Sequence, residues 1–167
     1  MATVQLRDIV TAEDRVAVLE LRRRPGQERY LGSMASHFED AELDVRASPR
    51  MWSVHDGDQL VGFAMISDNI PAETLAADDE IVGPYYLWRL LIDERFQGRG
   101  HGAATIDALV GYVRGRPNAE ILLTSCAEGE GSPQPFYLHY GFTKTGEVKW
   151  GEELLQLDLS VAGGGAT

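Results

Sequence analysis

The chain has 167 residues, 44% hydrophobic and 25% charged, with a single cysteine and a formal net charge of −11. That length suits one domain with a core of its own, and the composition excludes disordered and collagen-like chains. Cys126 alone can neither close an internal disulfide nor anchor a zinc cluster, which leads us to expect a reducing, cytoplasmic setting and no metal. No apolar run approaches the roughly 20 residues of a membrane span, and Met1–Asp8 lacks a signal-peptide core, so no membrane partner is expected. The negative charge is uneven. Residues 1–80 hold 16 Asp/Glu against 8 Lys/Arg (net −8), and residues 81–167 hold 10 against 7 (net −3). Such a surface argues against nucleic acid as a partner and suits either solubility or a cationic ligand.

Val4 to Val10 alternates like a strand. Thr11 stands three residues before Asp14, a capping-box start for a helix with Ala12, Val16 and Leu19 at helical spacing, widened by Val18 and Leu21. That helix is expected to end near Pro25-Gly26, with Arg22-Arg23-Arg24 complementing the dipole of its last turn. Ser33 caps a second helix with an apolar stripe of Met34, Phe38, Ala41 and Val45 and an acidic face of Glu39, Asp40, Glu42 and Asp44. Two strands around Asp56-Gly57-Asp58 form a hairpin, and residues 67–80 read as a polar loop, long enough to cover a binding site.

Tyr85 to Ile92 is apolar apart from Arg89, which suits a central strand. The turn Gln97-Gly98-Arg99-Gly100-His101-Gly102 then opens a helix with the stripe Ile106, Leu109, Val110 and Val113. A strand from Glu120 to Ser125, a short helix from Ser132-Pro133 to Tyr140 and a hairpin around Lys149-Trp150-Gly151 follow. Residues 161–167 read as a flexible tail after one domain spanning 1–160. The order predicts an α/β fold, one mixed sheet of six to seven strands flanked by about four helices.

Three glycines on alternate positions at a helix start let backbone N–H groups close around phosphate oxygens at the positive helix end. Gly98, Gly100 and Ala103 have the spacing of a dinucleotide fingerprint, but Asp93 to Gln97 intervene after the strand and several strands come earlier. A P-loop is excluded because no Gly-Lys-Ser/Thr follows.

The turn Gln97-Gly98-Arg99-Gly100-His101-Gly102 resembles the Q/R-x-x-G-x-G/A signature of the GNAT superfamily of acetyl-CoA-dependent N-acetyltransferases. Leu90-Leu91-Ile92-Asp93 looks like the superfamily's fourth strand, and Phe136-Tyr137-Leu138-His139-Tyr140-Gly141-Phe142 looks like its carboxy-terminal motif. The likeness covers the order of elements from Val4 to about Leu159. More narrowly, Tyr30-Leu31-Gly32-Ser33, Leu60 to Met65 and Ile92 to Gly98 are similar to bacterial diamine and polyamine acetyltransferases.

The resemblance implies acetyl-CoA as co-substrate. The coenzyme's pyrophosphate would rest on amides among Gly98, Arg99, Gly100, His101, Gly102 and Ala103 after Gln97, and its pantetheine arm along Leu91 and Ile92. A primary amine would attack the thioester directly, and Tyr137 matches the tyrosine that protonates the departing thiolate. Tyr86 and Trp88 stand where some members place a carboxylate base, which leaves Glu128, Glu130 or an acid of the amino-terminal half to act through water. The superfamily's Asn and Ala before the motif tyrosine are replaced by Glu130 and Pro133. His101 is expected to face solvent, His37, His55 and His139 to be ordinary element residues, and Cys126 not to carry an acyl group. The substrate pocket would lie between the first two helices and the last hairpin, with Glu28, Tyr30 and Asp40, beside the acids Glu39, Glu42 and Asp44, as candidates to hold a small cationic amine such as a diamine or polyamine. A protein amino terminus, a lysine, an aminoglycoside-like antibiotic and a non-catalytic acetyl-CoA-binding module are the alternatives. Superfamily members are often dimers, and the Trp150 turn is one surface through which a homodimer could form.

Overall fold

A computed structural model describes residues 2–160; the expected tail at 161–167 lies outside the described residues. Seven strands form one sheet in the order β1-β2-β3-β4-β5-β7-β6. These are β1 (Gln5–Asp8), β2 (Pro49–Asp56), β3 (Gln59–Ser67), β4 (Tyr86–Ile92), β5 (Ile121–Cys126), β6 (Thr143–Lys149) and β7 (Glu152–Asp158). All neighbours are antiparallel except β4 and β5. Five helices accompany them: α1 (Ala12–Leu19), α2 (Met34–Leu43), α3 (Ala72–Ala77), α4 (His101–Arg114) and α5 (Gln134–Tyr140).

The sheet separates two apolar layers. On one side Ile106, Leu109, Val110 and Val113 of α4 pack with Tyr137 and Tyr140 of α5 against Val54, Ile66, Leu87, Leu122 and Leu155. On the other, Val18, Leu21, Met34, Phe38 and Ala41 cover Phe63, Met65 and Leu91. The expected α4 stripe is therefore the buried one, and Gly115 ends that helix.

α1 differs from its expected extent. Thr11 and Asp14 form the reciprocal cap, with Asp14 N–H donating to Thr11 Oγ1 at 3.1 Å and Thr11 N–H to Asp14 Oδ2 at 2.9 Å. The helix stops at Leu19, however, and its buried face is Val18 followed by Leu21, while Val16 and Leu19 are exposed. Arg22 N–H instead donates to Asp93 Oδ2 at 2.9 Å, so Arg22–Arg24 lie beyond the helix and toward the start of the glycine turn. α2 has its Ser33 cap as expected, but it ends at Leu43 and leaves Val45 exposed. The polar segment 67–80 contains α3, which Pro71 introduces.

The pairing of β4 shapes the rest of the molecule. Against β3, Met65 faces Arg89 but Ile66 faces Leu87, so Trp88 is an extra residue. This bulge breaks the alternation of faces: Trp88 packs toward the α1/α2 layer, and Arg89 reaches α2 as well. Against β5, β4 pairs only at Tyr86 with Leu123 and Leu87 with Thr124. From Trp88 to Ile92, β4 has a strand neighbour on one side only, and the sheet is open there.

Candidate active site

The opening between β4 and β5 is the mouth of a cleft of about 510 Å³. One end is built by the glycine turn. Gly98 and Gly100 take φ values of +75° and +86°, which glycine adopts without steric cost. At Gly102 the constraint is different: a Cβ would stand 3.1 Å from Phe136 Cζ of α5, so a larger residue would need the Phe136 ring to shift by a few tenths of an ångström. The first bond that helix α4 closes is Ala104 N–H to Gly100 C=O at 3.1 Å. The amides of His101, Gly102 and Ala103 are left without a main-chain acceptor among the described residues, at the positive end of a 14-residue helix. That donor set fits an anionic diphosphate.

The turn is held from below. Gln97 Nε2–H donates to Ile92 C=O at 2.8 Å and to Gln27 Oε1 at 3.1 Å. Asp93, fully buried, accepts from Arg22 N–H, Arg95 N–H and the Arg95 guanidinium, all at 2.8–2.9 Å. Burial works against its charge, but these hydrogen bonds and the Arg95 cation keep its pKa below the usual carboxylate value. Arg24 lines the same end of the cleft, a cation that sequence reasoning places in a helix turn.

His101 is not solvent-facing as expected. It is 5% exposed, with Nδ1 3.1 Å from Phe96 C=O and Nε2 2.9 Å from Asp56 Oδ2. As the first residue of α4, its ring folds back under the turn and ties it to the end of β2. His37 is also buried; its Nδ1 accepts from Arg89 Nε, and desolvation, with the Arg89 charge, lowers its pKa to about 4.

Tyr137 lies on the cleft wall, 7% exposed, beside Thr124, Cys126 and Tyr86. Desolvation, reinforced by Cys126 and Tyr86, raises its phenol well above the usual value near 10, so the group is a proton carrier at neutral pH. Burial likewise pushes Cys126 up to about 11 and leaves it a thiol. Tyr86 is raised to about 12, first by burial. Ser125 Oγ donates to Glu152 Oε1 at 2.7 Å, so the Tyr86 hydroxyl donates to Ser125 in a chain Tyr86–Ser125–Glu152.

The expected substrate residues are not gathered together. Tyr30 lines the cleft, and its hydroxyl donates to Glu130 C=O at 2.7 Å, which ties that segment to the cleft wall. Glu28 is exposed and caps Gly26 N–H at 3.1 Å, and Asp40 pairs with Arg89 at 3.2 Å; neither lines the cleft. Ile92 lines it, whereas the Leu91 side chain belongs to the α1/α2 layer and only its main chain can face the opening. Gln97, Gly98, Gly100, His101, Gly102 and Ala103 all line it, and the Arg99 side chain lies over Phe96 instead.

A second cavity of about 400 Å³ shares Tyr86, Trp88, Arg89 and Glu152 with the first. Its other lining includes Asp44, Glu80 and Trp150, residues from three separate segments. Trp150 is half-exposed, but its Nε1–H donates to Glu80 Oε2 at 2.7 Å and its ring meets Tyr86 edge-on. Asp44 Oδ1 is buried without a hydrogen bond, Arg46 Nε lying 3.7 Å away. Sequence reasoning misses Glu152, Ser125 and Glu80, whose only signal is their place at strand ends and turns. Among the described residues, no group of three or more His, Cys, Asp or Glu could hold a metal ion, and no helix is long and apolar enough to cross a membrane.

Residues 15–142 match the acetyltransferase (GNAT) family model. The chain is 30% identical, over 90% of its length and 95% of the relative's, to a spermine/spermidine N(1)-acetyltransferase of Bacillus subtilis. Its fold is similar to an acetyltransferase from Thermus thermophilus (TM-score 0.64, 20% identity, 95% of this chain and 99% of that one). It is also similar to the aminoglycoside acetyltransferase AAC(6')-Ib in complex with coenzyme A (TM-score 0.71, 18% identity, 93% and 95%). The chain belongs to the GNAT family and is an acetyl-CoA-dependent N-acetyltransferase.

Proposed function

We propose that the protein acetylates a small polycationic amine, a diamine or polyamine, in a ternary complex with acetyl-CoA. The observation that carries this reading is the second cavity, where three carboxylates and three aromatic rings adjoin the acetyl-transfer cleft through a shared wall. Asp44, Glu80 and Glu152 outnumber Arg89 in the lining; Asp40 pairs Arg89, and Arg46 Nε stands 3.7 Å from Asp44. The unsatisfied Asp44 oxygen gains a partner when an ammonium enters. Trp88, Trp150 and Tyr86 supply π-faces for the same charge. A neutral or singly charged amine would use none of these groups twice. The 30% identity to a spermine/spermidine acetyltransferase supports the same class.

The rest of the cleft then divides by role. Amides of His101, Gly102 and Ala103 hold the diphosphate, with Arg24 adding charge beside them. The open edge of β4 from Leu90 to Ile92 receives the pantetheine arm, and acetyl-CoA supplies the acetyl thioester. Tyr137 keeps its proton until a thiolate forms and then donates it. Tyr30 holds the Glu130 segment against the cleft rather than binding charge.

The test is release of free coenzyme A across diamines, spermidine, spermine, aminoglycosides, amino-terminal peptides and arylamines. Polyamines are expected to show kcat/KM at least tenfold above every other class. Equal turnover of spermidine and a neutral arylamine would overturn the reading, and preference for aminoglycosides would replace it.

A further inference from the structure

We propose that Glu152 is a catalytic residue, the group that takes the proton from the acceptor nitrogen as the amide forms; this deepens the acetyl-transfer reading and rests on it. Four observations meet at this side chain. Glu152 is the one carboxylate among the residues lining the cleft, and it also lines the second cavity from which the amine would arrive. It stands at the start of β7, opposite Lys149 and next to β5, whose Ser125 donates to its Oε1 at 2.7 Å. Its Oε2 takes no hydrogen bond or ion pair among the described residues and is free to meet a donor. β4 itself carries no carboxylate between Tyr86 and Ile92.

The competing bases are occupied or distant. Glu128 pairs with Lys144 at 3.4 Å, Glu28 caps Gly26, and neither Glu128 nor Glu130 lines the cleft. His101, the single histidine of the cleft lining, has both ring nitrogens against acceptors. The Cys126 thiol is buried and protonated.

The acceptor nitrogen first leaves its ammonium proton to solvent; the neutral amine then attacks the acetyl carbonyl carbon, the C–N bond forms, and the nitrogen becomes positively charged and strongly acidic. Glu152 Oε2 accepts that N–H proton as the C–S bond breaks, and Tyr137 gives a proton to the departing sulfur. Glu152 then loses its proton to solvent through the half-exposed wall, and Tyr137 regains one. Counted from the neutral amine, one N–H is lost and one S–H gained, with no net proton.

Two variants test the assignment on the full chain. Glu152→Gln keeps an oxygen for Ser125 and should keep the wild-type melting temperature and acetyl-CoA affinity while kcat falls about 100-fold. Glu152→Ala should lose as much, and added formate, acetate or propionate should restore activity in the order of their basicity, which a residue that only braces Ser125 would not allow. A Glu152→Gln kcat within threefold of wild type, or a lost activity that no added carboxylate restores, would overturn the proposal. Wild-type protein that binds acetyl-CoA but turns over no amine would overturn the reading beneath it instead.

Discussion

The two ends of the cleft are built by different means. At the glycine turn several constraints converge on a few residues: Gly100 takes a positive φ, Gly102 lies against Phe136, and Asp93 closes a knot of four hydrogen bonds with the Arg95 amide, the Arg95 guanidinium and the Arg22 amide. At the acceptor end the contacts span the chain, Trp150 with Glu80, Lys149 with Asp79 C=O and Tyr30 with Glu130 C=O, and each is a single hydrogen bond at the surface. The first end is held by several buried bonds at once, and the second joins strand residues of β4 and β7 to loop side chains through single surface bonds.

Tyr137 belongs to neither end and should give the largest effect. Tyr137→Phe is expected to lower kcat about 100- to 1,000-fold with acetyl-CoA affinity unchanged, as measured by steady-state kinetics beside calorimetric titration. Loss of acetyl-CoA binding in parallel would make the tyrosine part of the receptor.

The rigid end is tested at Asp93. Asp93→Asn should cost about 2 kcal/mol of stability, because charge-assisted bonds to Arg95 and two amides are weakened together. The folded pKa lies below the unfolded value of about 3.9, so this contribution is fully present above that pH. It disappears as pH falls through the folded value. Melting curves between pH 7 and 3 should show the gap between wild type and variant closing toward the acid end. A constant gap would assign the loss to packing.

The adaptable end gives the smallest effects. Trp150→Ala should raise the KM for spermidine about three- to tenfold and leave the KM for acetyl-CoA unchanged. Glu28→Gln, outside both cavities, should change either value less than twofold. Equal effects of the two substitutions on spermidine would dissolve the distinction between cavity and surface.

The same division decides what was legible in the sequence. The glycine turn, the α4 stripe and the Tyr137 motif are written in consecutive residues, because φ requirements, helical spacing and capping act over a few positions. Seven strands, the α1 and α2 caps and both hairpins follow from the same short-range rules. The acceptor side does not. Acidic charge pointed to a cation and offered Asp44 together with Glu28 and Asp40, but not Glu80 and Glu152, which line the cavity with Asp44 by way of a β4 bulge and a hairpin 70 residues away from Glu80. His101 misled for a related reason: a position inside a polar turn suggests exposure, and the Asp56 that buries it lies 45 residues earlier. α1 stopped short because Asp93 claims the Arg22 amide, another distant partner.

The parting of β4 from β5 has a bearing on aggregation. An unpaired strand edge at the rim of a sheet recruits other chains, and proteins protect such rims with charge, bulges or cover. Here the unpaired length from Trp88 to Ile92 is interior, since β5, β7 and β6 continue the sheet beyond the gap. A slender chain can thread that slot and satisfy its peptide groups, but a second protein strand approaching from outside would first have to pull the sheet apart. The open stretch of β4 therefore lies inside the sheet, and its unpaired peptide groups are screened from neighbouring molecules in a way that those of the edge strands β1 and β6 are not.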